Sequence, residues 1–306
     1  MIIKQNYNVS QLSWIHIGGK AKYYLELYNN NDIMDAINYC SENNLRYRFI
    51  GRGCNIYFGE YFDGAILKMC LDPDDTNLID IFKKYNTDYT DNKNDEYYIV
   101  IPAHLNLMTI IYYLAKYNFD LSNMYGIPGS IGGAVINNAG AYGSEISDYL
   151  SEVVCLNIKG SKKYTKEKMQ YTYRNSILKN NFEDILVTIF LKVTKTELSE
   201  NEIINKCNKI YDTRKSKFPV ENNLGSAYES YFCNDGKIPV GAILDKINSK
   251  KLKFNNICIH DKHANVIVNH KKDNDIESMD KLINEIDNLI FLRYGIKLNI
   301  EIRKII

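Results

Sequence analysis

The chain has 306 residues, 45% of them hydrophobic, enough for a buried core and, by length, for two domains or three small ones. With 38 basic and 37 acidic side chains the net charge is +1, so no overall field points to nucleic acid or an anionic membrane as a partner. No apolar run approaches the roughly 18 to 20 residues of a membrane helix, and Met1-Ile2-Ile3-Lys4-Gln5-Asn6 lacks the make-up of a signal peptide, so a soluble cytoplasmic protein is expected.

The first elements read as a strand over 23–27, a helix over 31–43 with Ile33, Met34, Ile37 and Cys40 at helical spacing, and strands over 47–50 and 64–69. A polar stretch over 71–96 separates this α/β unit from a second. The second opens with a strand over 97–102 and a helix over 106–117 that carries Leu107, Ile110, Ile111 and Leu114 on one face. A long loop rich in Gly and Ala over 124–143 precedes strands over 152–158, 162–165 and 184–193, which fit an antiparallel sheet. A third unit starts with a helix over 199–215 and closes with an amphipathic helix over 275–294 and a strand over 297–303. Boundaries at 1–70, 71–195 and 196–306 follow. The seven cysteines are scattered, with no C-x-x-C pair and no Cys/His grouping at zinc spacing, which argues for free thiols and against a metal site.

Two glycine-rich stretches could hold an anion. In Gly51-Arg52-Gly53-Cys54-Asn55 the alternate glycines permit positive φ and let successive N–H groups converge, although a tight turn between strands uses the same residues. The second stretch places glycines at 126, 129, 132, 133, 140 and 143. That many missing side chains suggests backbone approaching a flat or phosphorylated ligand, beyond what close packing of a loop would ask. Neither stretch is a Rossmann fingerprint or a Walker sequence.

Ile17-Gly18-Gly19 with Ala21, Gly51-x-Gly53-x-Asn55, and Gly126-x-Pro128-Gly129-Ser130-x-Gly132-Gly133-Ala134 with Asn138-Ala139-Gly140-Ala141-Tyr142-Gly143 resemble the FAD-binding part of the UDP-N-acetylenolpyruvoylglucosamine reductase (MurB) family. The resemblance continues through Tyr173-Arg174-x-Ser176, Arg214-x-x-Lys217-x-Pro219, Gly225-Ser226, Lys262-His263-Ala264-Asn265 with Ile267-Val268-Asn269, and Leu298-x-x-Glu301-x-Arg303. It implies an α+β protein: an FAD-binding fold of the vanillyl-alcohol-oxidase type in two α/β subdomains plus a C-terminal α/β substrate domain, in the shorter, type II form. It also implies a protein that binds FAD without a covalent bond, uses NADPH as co-substrate and reduces UDP-N-acetylglucosamine enolpyruvate to UDP-N-acetylmuramate; a monomer is expected, although the sequence itself does not give the oligomeric state.

The resemblance gives Arg174, Ser226 and Glu301 catalytic roles: grip on a carboxylate, proton donation and polarisation of the developing enol. Gly51, Arg52, Gly53, Cys54 and Asn55, then Pro128, Gly129, Ser130, Ile131, Gly132 and Gly133, and finally Asn138, Gly140, Ala141, Tyr142 and Gly143 would hold the cofactor. Arg214 and Lys217, one helical turn apart, share a face that could meet a diphosphate, or could simply complement a helix C-terminus. His263 gets no catalytic role, since no metal or triad partner accompanies it. The chain departs from the family after Ser226, where Tyr228-Glu229-Ser230-Tyr231 stands in place of Phe-Lys-Asn-Pro, and at Asn299, where a glutamate is usual. An FAD-linked oxidase of the same fold acting on another alcohol or sugar, or a flavin-binding protein without catalysis, are the competing readings.

Overall fold

A computed structural model describes residues 1–83, 96–219, 222–234 and 236–306; part of the polar stretch expected over 71–96 lies outside the described residues. The chain begins with β1 (Ile2–Asn8), β2 (Lys20–Leu27), α1 (Asn30–Glu42), β3 (Tyr47–Ile50), β4 (Ile56–Phe58) and β5 (Tyr61–Met69). It continues through β6 (Asp80–Lys83), β7 (Glu96–Pro102), α2 (Leu107–Ala115), α3 (Ile131–Ile136), β8 (Gly140–Ala141), β9 (Ser144–Glu145), α4 (Ile146–Tyr149), β10 (Leu150–Asn157), β11 (Gly160–Thr165) and β12 (Ile185–Thr194). The last part comprises α5 (Glu200–Lys217), β13 (Asn223–Ser226), β14 (Tyr231–Cys233), β15 (Gly236–Ile238), α6 (Val240–Lys246), β16 (Lys253–Phe254), β17 (Ile257–His260), β18 (His263–Asn269), α7 (Ile276–Tyr294) and β19 (Arg303–Ile305). Among the described residues no helix is long and apolar enough to cross a membrane.

By internal contacts the chain forms two compact units. The first comprises Met1–Ile3, Leu25–Gly51 and Ile66–Thr213, the second Lys4–Tyr24, Arg52–Ala65 and Arg214–Ile306. In the first, five strands order as β11-β10-β12-β7-β6, with antiparallel pairing throughout. β12 explains itself: Ile185, Val187, Ile189, Leu191 and Val193 are buried at period 2, while Thr188, Phe190 and Lys192 are less so. On the core side lie Leu107, Ile110, Ile111 and Leu114 of α2, a helix whose cap is Asn106 accepting the Met108 N–H at 2.9 Å. In the second unit, β13-β18-β17-β16 form an antiparallel sheet. α6 packs on β18, and α7 on β16 and β17, burying Met279, Leu282, Ile283, Ile286 and Ile290. α7 starts where Asp275 accepts the Ser278 N–H at 2.9 Å and stops at Gly295, whose φ of +64° ends the helix.

Two expectations from the sequence need correction. The stretch 124–143 is not a loop throughout: it contains α3, whose two glycines lower its helix propensity but whose Ser130 cap and buried Ile131 and Val135 hold it. The final strand is not 297–303. Ile300 makes only an isolated bridge to Tyr228, and the strand proper, β19, runs parallel to β4 with Arg303 opposite Ile56. Leu298 and Ile302 are apolar because they fill the core of the second unit from irregular backbone, which mimics strand alternation in the sequence.

Candidate active site

In the first unit, the segment after β7 and the start of α3 fit closely. Gly132 N–H donates to the Ala103 carbonyl at 2.8 Å, and a Cβ on Gly132 would lie 2.8 Å from that same oxygen. Gly132 is therefore required by the chain's own packing, as close packing of a loop accounts for one or two of the six glycines. Its neighbour is different. Among the described residues a Cβ on Gly133 would meet only Ser130 Oγ, at 3.4 Å, and none of them demands glycine there. Pro128 and Gly129 precede Ser130, and Leu107 N–H donates to the Gly129 carbonyl at 3.1 Å.

Arg174 lies in a turn, with φ at +54°, bracketed by the bridge between Thr172 and Asn175. Its Nη1 donates to the Asn138 carbonyl at 3.0 Å and its Nη2 to the Gly140 carbonyl at 2.7 Å, while Glu145 Oε1 stands 3.6 Å from Nη1. Asn138 is buried, and its Nδ2 donates to Glu145 Oε2 at 2.8 Å and to the Thr172 carbonyl at 3.1 Å. The structure thus brings an expected catalytic residue onto the segment 138–143 expected to hold the cofactor. Ala141 pairs with Ser144 across the β8–β9 turn, and Tyr142 at the tip is half exposed, next to Gly143.

In the second unit, Gly53 is buried with φ at +75°, and a Cβ there would fall 1.9 Å from the Leu12 carbonyl oxygen. Cys54 Sγ donates to the Arg52 carbonyl at 3.9 Å, and the Asn55 carbonyl accepts the Arg303 N–H at 3.1 Å. Arg52 Nη1 and Asn55 Oδ1 are both buried and have no hydrogen-bond partner among the described residues. An orphaned donor and acceptor three positions apart in a glycine-bearing loop fit a ligand with a phosphate and polar ring edges, since leaving such groups buried and unmade costs about 1 to 3 kcal/mol each. The residues present therefore fit FAD.

Ser226 ends β13, half buried and opposite Val266. Glu301 is not in the final strand, as the sequence suggested, but two residues before its start at Arg303, and its N–H donates to the carbonyl of Ala227 at 2.8 Å. The backbones carrying Ser226 and Glu301 therefore lie side by side. Arg214 and Lys217 close α5; Arg214 sits 5.5 Å from the Phe218 ring centroid and Lys217 is exposed. His263 stacks on Phe218 at 4.3 Å, and burial lowers its pKa, consistent with framework rather than catalysis. Two departures from the family meet here through their backbones: Glu229 N–H donates to the Asn299 carbonyl at 2.9 Å, a bond indifferent to either side chain. Asn265 takes no role from its motif. The available signal was an amide inside an apolar strand, because a buried amide must be bonded.

Residues 218–305 match the family described as UDP-N-acetylenolpyruvoylglucosamine reductase, C-terminal domain, and residues 21–161 match the FAD binding domain family. The UDP-N-acetylenolpyruvoylglucosamine reductase of Francisella tularensis is 31% identical over 301 residues, 96% of this chain and 97% of that protein. The enzyme of the same name from Aquifex aeolicus is 28% identical, covering 100% of this chain and 96% of its own. Among solved structures, UDP-N-acetylenolpyruvylglucosamine reductase from Thermus caldophilus shares the fold with a TM-score of 0.77 at 20% identity, covering 99% of both chains.

Proposed function

The chain belongs to the UDP-N-acetylenolpyruvoylglucosamine reductase family, and from that membership we propose how its residues divide the work. The protein is an FAD-dependent oxidoreductase, a UDP-N-acetylmuramate dehydrogenase of peptidoglycan precursor synthesis, with NADPH as reductant. The α+β, FAD-binding fold and the cofactor expected from the sequence are both borne out. In our reading residues 1–70 and 71–195 form the FAD-binding subdomains and 196–306 the substrate domain, and the chain works as a cytoplasmic monomer whose partners are NADPH and the enolpyruvyl nucleotide.

The redox chemistry, hydride acceptance from NADPH and delivery to the enolpyruvyl group, is that of FAD. Gly51, Arg52, Gly53, Cys54 and Asn55, Pro128 to Gly133, and Asn138 with Gly140 to Gly143 would hold it, Arg52 Nη1 and Asn55 Oδ1 offering a donor and an acceptor that have no partner among the described residues. Hydride arriving at the terminal carbon of the enolpyruvyl group leaves negative charge on the neighbouring carbon and its carboxylate. Arg174 stabilises that charge. Two of its N–H donors hold the Asn138 and Gly140 carbonyls, which fixes the guanidinium in place, and it keeps its charge without a change of protonation. Ser226 gives its hydroxyl proton to the neighbouring carbon, and Glu301, fixed beside it through the Ala227 carbonyl, polarises the developing enol. Arg214 and Lys217 meet the diphosphate of the nucleotide.

The observation that most supports this reading is the backbone adjacency of Ser226 and Glu301, two residues 75 positions apart (301 − 226) that the family match had singled out. The test uses purified holoprotein under anaerobic conditions. NADPH bleaches the flavin absorbance, and UDP-N-acetylglucosamine enolpyruvate restores it with formation of UDP-N-acetylmuramate. Bleaching without restoration by that substrate would favour an oxidase of another specificity, and no bleaching would favour a non-catalytic flavin binder.

A further inference from the structure

We infer that Asn265 is a positioning residue that keeps Ser226 and Glu301 in register; the inference rests on the roles given above to those two side chains. The starting point is a fault in the β13–β18 ladder. Asn223 pairs with Val268 and Ser226 with Val266, so three steps on β13 match two on β18, and the strand ends at Ser226. Gly225, at φ +73°, takes up the extra residue, and its N–H is held by Asn223 Oδ1 at 2.8 Å. Just beyond the proton donor, main-chain bonding to β18 continues through the Ala227 N–H alone, and both polar groups of Tyr228 turn to a side chain of β18 instead.

That side chain is Asn265. It is 5% exposed, in β18 between Ala264 and Val266. Its Oδ1 accepts the Tyr228 N–H at 2.9 Å, its Nδ2 donates to the Tyr228 carbonyl at 2.8 Å, and its own carbonyl accepts the Ala227 N–H at 2.8 Å. The side-chain amide acts as an extra peptide unit of the sheet, closing on both polar groups of one residue. On its other side the same segment receives the end of the chain. The Ala227 carbonyl accepts the Glu301 N–H at 2.8 Å, and Tyr228 bridges Ile300. Ala227 and Tyr228 are 1% exposed, so loss of the Asn265 amide leaves an N–H and a carbonyl buried and unpaired, and the segment must shift to find partners. A displacement of about 1 Å at a reacting group costs on the order of 10²-fold in rate. Proton transfer should feel that shift. Access of NADPH to the flavin should not.

The experiment measures the two half-reactions of Asn265→Ala holoprotein by anaerobic stopped-flow absorbance, alone and combined with Ser226→Ala. Flavin reduction by NADPH should keep its wild-type rate, reoxidation by UDP-N-acetylglucosamine enolpyruvate should slow by about 10²-fold, and the double variant should be little slower than Ser226→Ala alone, as for residues acting through one another. Asn265→Asp, which keeps the acceptor for the Tyr228 N–H, should recover part of the loss, and it serves as the test variant if Asn265→Ala does not fold. Wild-type reoxidation in a folded variant, equal slowing of both half-reactions, or fully multiplicative effects would each overturn the inference. If Ser226→Ala itself reoxidises at the wild-type rate, the role of Ser226 is what has failed, a result distinguishable from failure at Asn265.

Discussion

Arg174 Nη2 donates to the carbonyl oxygen of Gly140 at 2.7 Å, so a side chain matched to catalysis is tied directly to backbone matched to cofactor binding. With Nη1 on Asn138, the guanidinium bridges two carbonyls two residues apart, a task that needs its planar fork. Arg174→Lys keeps the charge but reaches only one carbonyl. Its kcat should fall by about 10²-fold, and its affinity for FAD should weaken as the segment 138–143 loosens, whereas a purely electrostatic role would spare FAD affinity. Steady-state rates and fluorescence titration of apoprotein with FAD check both parts.

Gly132 and Gly133 separate packing from ligand binding. A methyl group at Gly132 collides with the Ala103 carbonyl, so Gly132→Ala should lower the melting temperature of the apoprotein. Gly133 has room on the protein side, so Gly133→Ala should melt like wild type and yet bind FAD at least about tenfold more weakly if that room belongs to the cofactor. Differential scanning fluorimetry with and without FAD reads both outcomes. A Gly133→Ala variant with wild-type FAD affinity would place the cofactor elsewhere.

Much of the scaffold was legible in the sequence and some of the site was not. α1, α2 and α7 announce themselves because Ile33, Ile37 and Cys40, then Leu107, Ile110, Ile111 and Leu114, then Met279, Leu282, Ile286 and Ile290 recur at helical spacing and are buried. α3 was hidden by its own glycines, and the polar sequence of β1, with five of its seven residues exposed, carries no strand signal. The neighbourhood of Ser226 and Glu301 depends on contacts between residues 223–228, 264–266 and 299–302, which no local pattern encodes. Family motifs supplied the names of those residues but not the bonds that align them.

Asp184 gives the fold of the first unit a specific acid sensitivity. Burial alone would raise its pKa, but hydrogen bonds from Asn157, Tyr164, Lys162 and Asn181 together outweigh burial and lower it. A carboxyl whose folded pKa is depressed contributes stability that is present above its unfolded value, about 3.9, and lost as pH falls through the folded value. Thermal melts should therefore lose stability between about pH 4 and lower pH. Asp184→Asn should be less stable at pH 7 by about 2 kcal/mol or more, with a flatter acid limb. An Asp184→Asn variant with the wild-type acid slope would show that other carboxylates control it.

The division of labour at the reacting carbon is tested most directly by Ser226→Ala, followed one half-reaction at a time by anaerobic stopped-flow absorbance. NADPH should reduce the flavin at the wild-type rate. Reoxidation by UDP-N-acetylglucosamine enolpyruvate should slow by about 10²- to 10⁴-fold, the usual loss when a general acid is removed, and more if no water can replace the hydroxyl. Equal slowing of both half-reactions would make Ser226 a structural residue, and an unchanged reoxidation rate would show that the proton comes from another group.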